Sequence, residues 1–477
     1  MADKQDVLPI NRAFVCGRLN LIRKQLDLKL QRSEIRKKQV VAKKNIPEIM
    51  RDKISSFLMG SDQIFVAYSG GLDSHVLLHL LAQIRKVQPK LKLTAIHVNH
   101  NLSANAKKWN QHCKKVCKGL RVECVIKNVD ATIKIKGHSP EEIARKLRYE
   151  SFAEILPKNA LLLTAHQAND QAETLLLQMF RGAGPKGLAA ISTKVKFAKG
   201  WLVRPILDFS REELLQYAIE YKLKWIEDES NTNLKFDRNL IRHKLMPAVK
   251  KQWPGIIATL NRVSRHCAEA SELLEDLAAE DLSKIIGANK KTLNLTSLKE
   301  LTVIRQHNVL RFWLHSLQLS TPSEAKLNEI IRTIVNSRSD ATPQVKWHGA
   351  EIRRFQDHLY AMSPLLSHNN KIVLRWDLNK PLKLPNDLGV LQVKIAPKFK
   401  ATIATKTFTV QFRQGGEKLK LAKRQGTHQL KKLMQEWRVP PWLRDRIPLV
   451  YCGAKIVAVI GYYSVSDLQF QIRGLSV

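Results

Sequence analysis

The hexapeptide SGGLDS at residues 69–74 gathers residue types that can hold a polyphosphate. Gly70 and Gly71 leave no side chain between backbone N–H groups and an anion, and a helix beginning at the same point aims its positive end at that anion. The spacing matches neither the G-x-x-x-x-G-K-S/T loop, which needs a lysine after its second glycine, nor G-x-G-x-x-G. A plain Gly-Gly turn with Ser74 capping a helix would use the same residues without any ligand.

A second constellation lies in TAHQANDQAETLLLQMFRGAGPKGL, residues 164–188. A helix from about Asn169 to Phe180 puts Asp170, Glu173 and Thr174 on one side of its first turns. Two carboxylates there suit magnesium or a cationic amine, and acids in a first turn also stabilise the helix dipole, so both explanations stand. His166 precedes them, while His97 and His100 fall at another strand end and could simply shape a pocket. In GHSPEEIARKLRYESF, residues 137–152, Ser139, Pro140 and Glu142 read as a capping box with proline at the first helical position. Arg145 and Arg148, three apart on that helix, face either solvent or a phosphate.

Alternating elements must position these residues. IFVAY (64–68) reads as a strand, 74–86 as a helix, LKLTAIHV (91–98) as a strand, 103–118 as a helix, RVECVIKNV (121–129) as a strand, the segment from 140 as a helix, and LLLT (161–164) as a strand. This order predicts a doubly wound α/β fold with a mainly parallel sheet, whose ligands bind beyond the carboxyl ends of the strands. SGGLDS, HVNH and TAH all fall there. Past Pro247 and Pro254, Leu260, Val263, Cys267, Leu274 and Leu277 recur at helical spacing and open a helical middle domain, followed by short strands at 342–362. The domain plan is a basic N-terminal extension at 1–60, a catalytic domain at 61–247, an α-rich middle domain at 248–365, a linker at 366–399, and a small α+β end domain at 400–477.

With 80 Lys+Arg against 42 Asp+Glu, the 477-residue chain carries a formal charge of +38. That excess calls for a polyanionic partner. No apolar stretch reaches the roughly 18 residues of a membrane span, so nucleic acid is preferred over bilayer. Between Lys406 and Arg446, eleven Lys/Arg are interleaved with Trp437 and Trp442. Lys418, Lys420, Lys423, Arg424, Lys431 and Lys432 are the candidate phosphate contacts there, and the tryptophans read as core. The six cysteines form no C-x-x-C pair. Together with the lack of an export signal, they point to reduced thiols in a cytoplasmic protein. Residues 11–44 hold eleven Lys/Arg with only Asp27 and Glu34, which suits an RNA-contacting or solvated basic helix; an organellar presequence would look similar.

SGGLDS resembles the signature of the PP-loop ATP pyrophosphatases. Taken in order, SGGLDS, HVNHNLS, GHSPEEIARKLRYESF, TAHQANDQAETLLLQMFRGAGPKGL, RPIL (204–207) and WIEDESNTNLKFDRNLIRHKLMP (225–247) resemble the catalytic domain of the tRNA(Ile)-lysidine synthase family. Residues 412–461 are similar to the tRNA-binding end domain of its longer members. The resemblance implies that ATP adenylates O2 of the wobble cytidine in an isoleucine tRNA with a CAU anticodon. The ε-amine of free L-lysine then displaces AMP. It also implies that Ser69, Gly70, Gly71, Leu72, Asp73 and Ser74 hold ATP, with Mg2+ on Asp73. Asp170 and Glu173 become the magnesium- or lysine-facing carboxylates, with His166 and Arg148 beside the substrate. Arg145 or Arg148 neutralises developing phosphate charge. A homodimer is left open.

The chain departs from the family pattern at Asn169, where an aspartate is usual, and at Asn101 and Ser103, where glycine and arginine are usual. Asn169 offers an oxygen but no charge. A tRNA cytidine thiolase would need reactive or cluster-binding cysteines, and the NAD or GMP synthetases would not need the positive charge. An inert RNA-binding relative is the alternative from another class.

Overall fold

The computed structural model describes residues 46–61, 63–99, 106–130, 140–227, 234–338, 341–386, 388–395, 406–421, 424–465 and 468–473. Most of the expected N-terminal extension, together with His100, Asn101, Ser103, Ser139 and Lys423, lies outside them. The chain divides into two compact units, Met1–Glu272 and Leu273–Val477. The division falls inside the long helix Ile256–Ile285 rather than at residue 247.

The first unit is built on a six-stranded sheet: β1 (Gln63–Ala67), β2 (Lys92–Asn99), β3 (Glu123–Asn128), β4 (Leu161–Leu163), β5 (Lys194–Phe197) and β6 (Gly200–Val203), in spatial order β3-β2-β1-β4-β6-β5. All pairings are parallel except β5 with β6. The chain first winds outward through β2 and β3, then crosses back to β4 on the other side of β1. The reversal opens a crevice at the carboxyl ends of β1 and β4. Side chains alternate across β1: Ile64 and Val66 enter one core, while Phe65 and Ala67 pack on the opposite face with Phe152, Leu156, Leu162 and Leu202. β5 closes one edge, and its exposed Lys194 and Lys196 lie 4.9 and 5.9 Å from the Trp201 ring.

The helix Ile46–Leu58 corrects the expected extent of the extension. Ile46, Met50, Ile54 and Leu58 repeat every four residues and are buried in the same core as β1, so this segment belongs to the catalytic fold.

In the second unit, β7 (Thr292–Asn294), β8 (Gln344–Trp347), β9 (Ala350–Phe355) and β10 (His358–Met362) form an antiparallel sheet in the order β7-β10-β9-β8. Its core includes Trp313, Leu310, Ile330 and Ile334 from neighbouring helices. Residues 366–399, expected as linker, instead carry β11 (Leu374–Trp376), β12 (Leu382–Lys383) and β13 (Val390–Ile395). β11 pairs with β14 (Phe408–Gln411), and β13 pairs with the last strand, Leu468–Arg473. Trp376, Leu384, Leu388 and Leu391 are buried with Phe408 and Val410, so the segment is part of the C-terminal core. A mainly parallel α/β domain, a helical middle and a β-rich end thus follow one another.

Candidate nucleotide and carboxylate–arginine site

Gly70 adopts φ +86°, a left-handed conformation that a side chain resists, and a Cβ there would stand 3.1 Å from Cys113 Sγ. Gly71 caps the helix Leu72–Val87. The loop is tied together by its serines: Ser69 N–H donates to Ser74 Oγ at 3.2 Å, Gly71 N–H to Ser69 Oγ at 3.3 Å, and Ser74 Oγ to Gly71 O at 3.0 Å. Ile226 N–H bonds Gly70 O from outside the loop. Ser69 and Ser74 therefore shape the turn, and Leu72 is buried beneath it. His97 is structural, its Nδ1 paired with Tyr68 O at 2.9 Å and its ring buried.

Asp73 stands in the first turn of that helix. Its Oδ2 lies 3.6 Å from Arg211 Nη1, whereas its Oδ1 is buried without a hydrogen-bond partner. Burial pushes the carboxyl up to about 6; Arg211 pulls against that rise and Asp170 adds to it. An orphaned oxygen of this kind fits a divalent cation. Among the described residues no group of three or more His, Cys, Asp or Glu could hold a metal ion. A single carboxylate fits a cation that takes its other ligands from a triphosphate.

Asp170 and Glu173 are brought to the crevice by the helix Ala168–Phe180, which begins just beyond β4. Asp170 Oδ2 accepts from Gln167 N–H at 3.0 Å, so that oxygen closes a capping box at the helix start. The other oxygens meet Arg238 and Arg242, two residues of the site that sequence reasoning misses. Arg238 Nη2 donates to Asp170 Oδ1 and Arg238 Nε to Glu173 Oε2, both at 2.8 Å. Arg242 Nε donates to Glu173 Oε1 at 2.7 Å, and its Nη2 to Glu173 Oε2 at 2.8 Å and Asp170 Oδ1 at 3.3 Å. The Glu173 side chain is 3% exposed and that of Asp170 13%, so Asp170 alone keeps a rim toward the crevice. The arginines come from Asp237–Leu240 and the π-helical turn Ile241–Leu245, which widens just before Pro247, where no N–H is available for the i→i−4 ladder. A signal for them is present in the sequence: two arginines four apart facing two acids three apart.

His166 shares a 2.9 Å hydrogen bond with Thr164 Oγ1. Burial first, then Arg204, Arg238, Arg145 and Arg148, hold its imidazole down to about 3, so it is neutral near pH 7. Arg204, from the RPIL segment, is buried with Nε unpartnered. Arg145 is exposed and lies 5.1 Å from the Tyr149 ring centroid; Arg148 is exposed one turn away. This rim is rich in cations and can receive an anion. Asn169 Oδ1 accepts from Arg211 N–H at 3.2 Å, a task that a neutral amide performs as well as a carboxylate.

In the C-terminal part, β15 (Lys418–Leu419) pairs with β16 (His428–Gln429), which runs directly into the helix Leu430–Glu436. Lys418, Lys420, Lys431 and Lys432 are exposed there, and Arg424 pairs with Glu436 at 2.8 Å. Trp437 packs with the local core, as expected, whereas Trp442, also expected to be core, joins no hydrophobic core among the described residues.

A glycine loop at the switch point of a parallel sheet, with a first-turn aspartate behind it, defines a PP-loop nucleotide-binding domain. Residues 38–249 match the family model of the PP-loop domain, residues 293–360 that of the TilS substrate binding domain, and residues 408–473 that of the TilS substrate C-terminal domain. A tRNA(Ile)-lysidine synthase of Coxiella burnetii is 42% identical over 86% of this chain and 91% of its own. One of Legionella pneumophila (strain Paris) is 39% identical over 87% and 94%. Among solved structures, the U34-tRNA thiolase NcsA from Methanococcus maripaludis matches 48% of this chain and 80% of its own at 18% identity, with a TM-score of 0.41. The chain belongs to the tRNA(Ile)-lysidine synthase family.

Proposed function

We propose that this protein uses ATP to join free L-lysine to C2 of the wobble cytidine in the CAU anticodon of an isoleucine tRNA. The observation that carries the reading is the PP-loop beside the acid–arginine lattice, in a chain of this family. The cytidine O2 attacks the α-phosphorus and pyrophosphate leaves. The lysine ε-amine then attacks C2, AMP departs with the O2 oxygen, and the amine proton passes to a carboxylate or water. The loop from Ser69 to Ser74, with the first-turn N–H groups of Leu72, Asp73 and Ser74, cradles the polyphosphate. Magnesium, if held at Asp73 Oδ1, would neutralise part of its charge. Asp170, through its exposed rim, faces the incoming ammonium, while Glu173 acts through Arg238 and Arg242, which it fixes in place. Arg145 and Arg148 meet phosphate at the rim beside neutral His166. Catalysis is then chiefly alignment of two substrates and stabilisation of a polyanionic transition state. Lys418, Lys420, Lys423, Arg424, Lys431 and Lys432 bind the tRNA backbone.

Among the described residues no helix is long and apolar enough to cross a membrane. The reading places the protein in the cytoplasm and leaves a homodimer open, which sedimentation velocity decides. Mass spectrometry of an isoleucine tRNA transcript incubated with protein, ATP and lysine tests the proposal. A lysyl mass gained at the anticodon is expected; tRNA binding without that gain would favour an inert RNA-binding relative.

A further inference from the structure

The two substrate modules, residues 293–360 and 408–473, meet at one indole ring. Trp442, in the short helix Pro441–Arg444, is approached edge-on by Tyr360 (centroids 5.4 Å apart, planes at 78°) and by Phe355 (6.2 Å, 83°). The Arg353 guanidinium lies 5.2 Å from the centre of the same ring. Arg353, Phe355 and Tyr360 belong to β9 and β10 of the middle module. The cation is fixed in advance: Arg353 Nε donates to Glu351 Oε1 at 2.9 Å, and Glu351 is fully buried.

Among the described residues Trp442 packs in none of the hydrophobic cores of this unit, whereas Trp437, five residues earlier, does. Its Nε1 is buried without a partner, so the ring is held by its faces and edges alone. A tryptophan that serves neither core and spends a buried donor has its contacts at the junction. The segment that follows the middle module is tied to the end module as well: Arg446 donates to Leu366 O, and Asn370 Nδ2 donates to Arg413 O at 3.0 Å.

We propose that Trp442 is a positioning residue. It locks the basic face carrying Lys418, Lys420, Lys431 and Lys432 to the middle module, so that tRNA meets one preformed surface and not two loosely tethered ones. The inference rests on tRNA being the substrate.

The test uses the full chain carrying Trp442→Ala or Trp442→Phe, with steady-state AMP release measured against tRNA and against ATP. Trp442→Ala should raise the KM for tRNA about tenfold while kcat and the KM for ATP stay within about twofold, and Trp442→Phe should recover most of the loss. A tRNA KM unchanged in Trp442→Ala, or a kcat that falls along with it, overturns the proposal. If Trp442→Ala fails to fold, Phe355→Ala removes the same contact from the other module and must shift the same parameter. Tryptic cleavage at Lys371, in the segment that joins the two modules, gives a readout independent of activity: it should be several times faster in Trp442→Ala, and equal rates count against the anchor. Wild-type protein inert toward tRNA would refute the proposed function, and the cleavage rates would still decide the anchor.

Discussion

Gly70 combines a left-handed backbone with close contact to Cys113 Sγ, so Gly70→Ala meets strain of about 1–2 kcal/mol in the loop as well as a steric conflict. ATP binding, measured by calorimetry, should weaken at least tenfold while the far-UV circular dichroism spectrum is kept. Asp73 offers a sharper separation of roles. The folded protein keeps the Asp73 proton up to about pH 6, whereas the unfolded chain releases it near 3.8. Between those values the folded state binds more protons, so this group's contribution to stability is fully present below 3.8 and is lost as pH rises through 6. The loss amounts to at most about 3 kcal/mol. Asp73→Asn should therefore abolish AMP formation yet raise the melting temperature at pH 7.5; a variant with lower stability would contradict the burial of an unpaired oxygen. The glycines and this aspartate are legible in the sequence because strand, turn and helix start adjoin within a dozen residues.

At the scale of elements, the helix Ala168–Phe180 and the turn around Arg242 are stitched by ion pairs that exclude most water. Arg242→Ala takes two of its three donors from the buried Glu173 and leaves it Arg238 alone, and should cost about 1.5–3 kcal/mol, read as a lower urea midpoint of the catalytic unit. Arg211→Ala breaks a longer, more exposed contact with Asp73 and should cost under about 1 kcal/mol. The sequence locates the acids because helical spacing is local, but their arginine partners stand more than sixty residues further on, and only the four-residue spacing of those arginines marks them. Residues 366–399 mislead for another reason. Pro381 and Pro385 bracket the two-residue strand β12, and prolines flanking short edge strands look like those of a loop. The helix Ile46–Leu58 is masked by the charged segment before it, although its apolar stripe repeats every four residues.

At the scale of the molecule, the charge of +38 requires that tRNA affinity fall steeply with salt. Lys431→Glu combined with Lys432→Glu should weaken binding and flatten the plot of log affinity against log salt by about 0.7–0.9 for each phosphate left unneutralised, measured by filter binding at several ionic strengths. An unchanged slope would remove this helix from the RNA contact. Because β11 and β13 pair with strands beyond residue 400, a cut at 400 would break two sheets, and charge reversal is the cleaner probe. The overall class of partner is legible from composition alone, since so large an excess of one sign has few uses; the seam at Trp442 is not, because aromatic residues far apart in sequence carry no mark of their mutual contact. The final strand on one side of the catalytic sheet has a further consequence. β5 is an antiparallel edge strand with exposed Lys194 and Lys196, and two like charges on so short a border disfavour the addition of a strand from a neighbouring copy there.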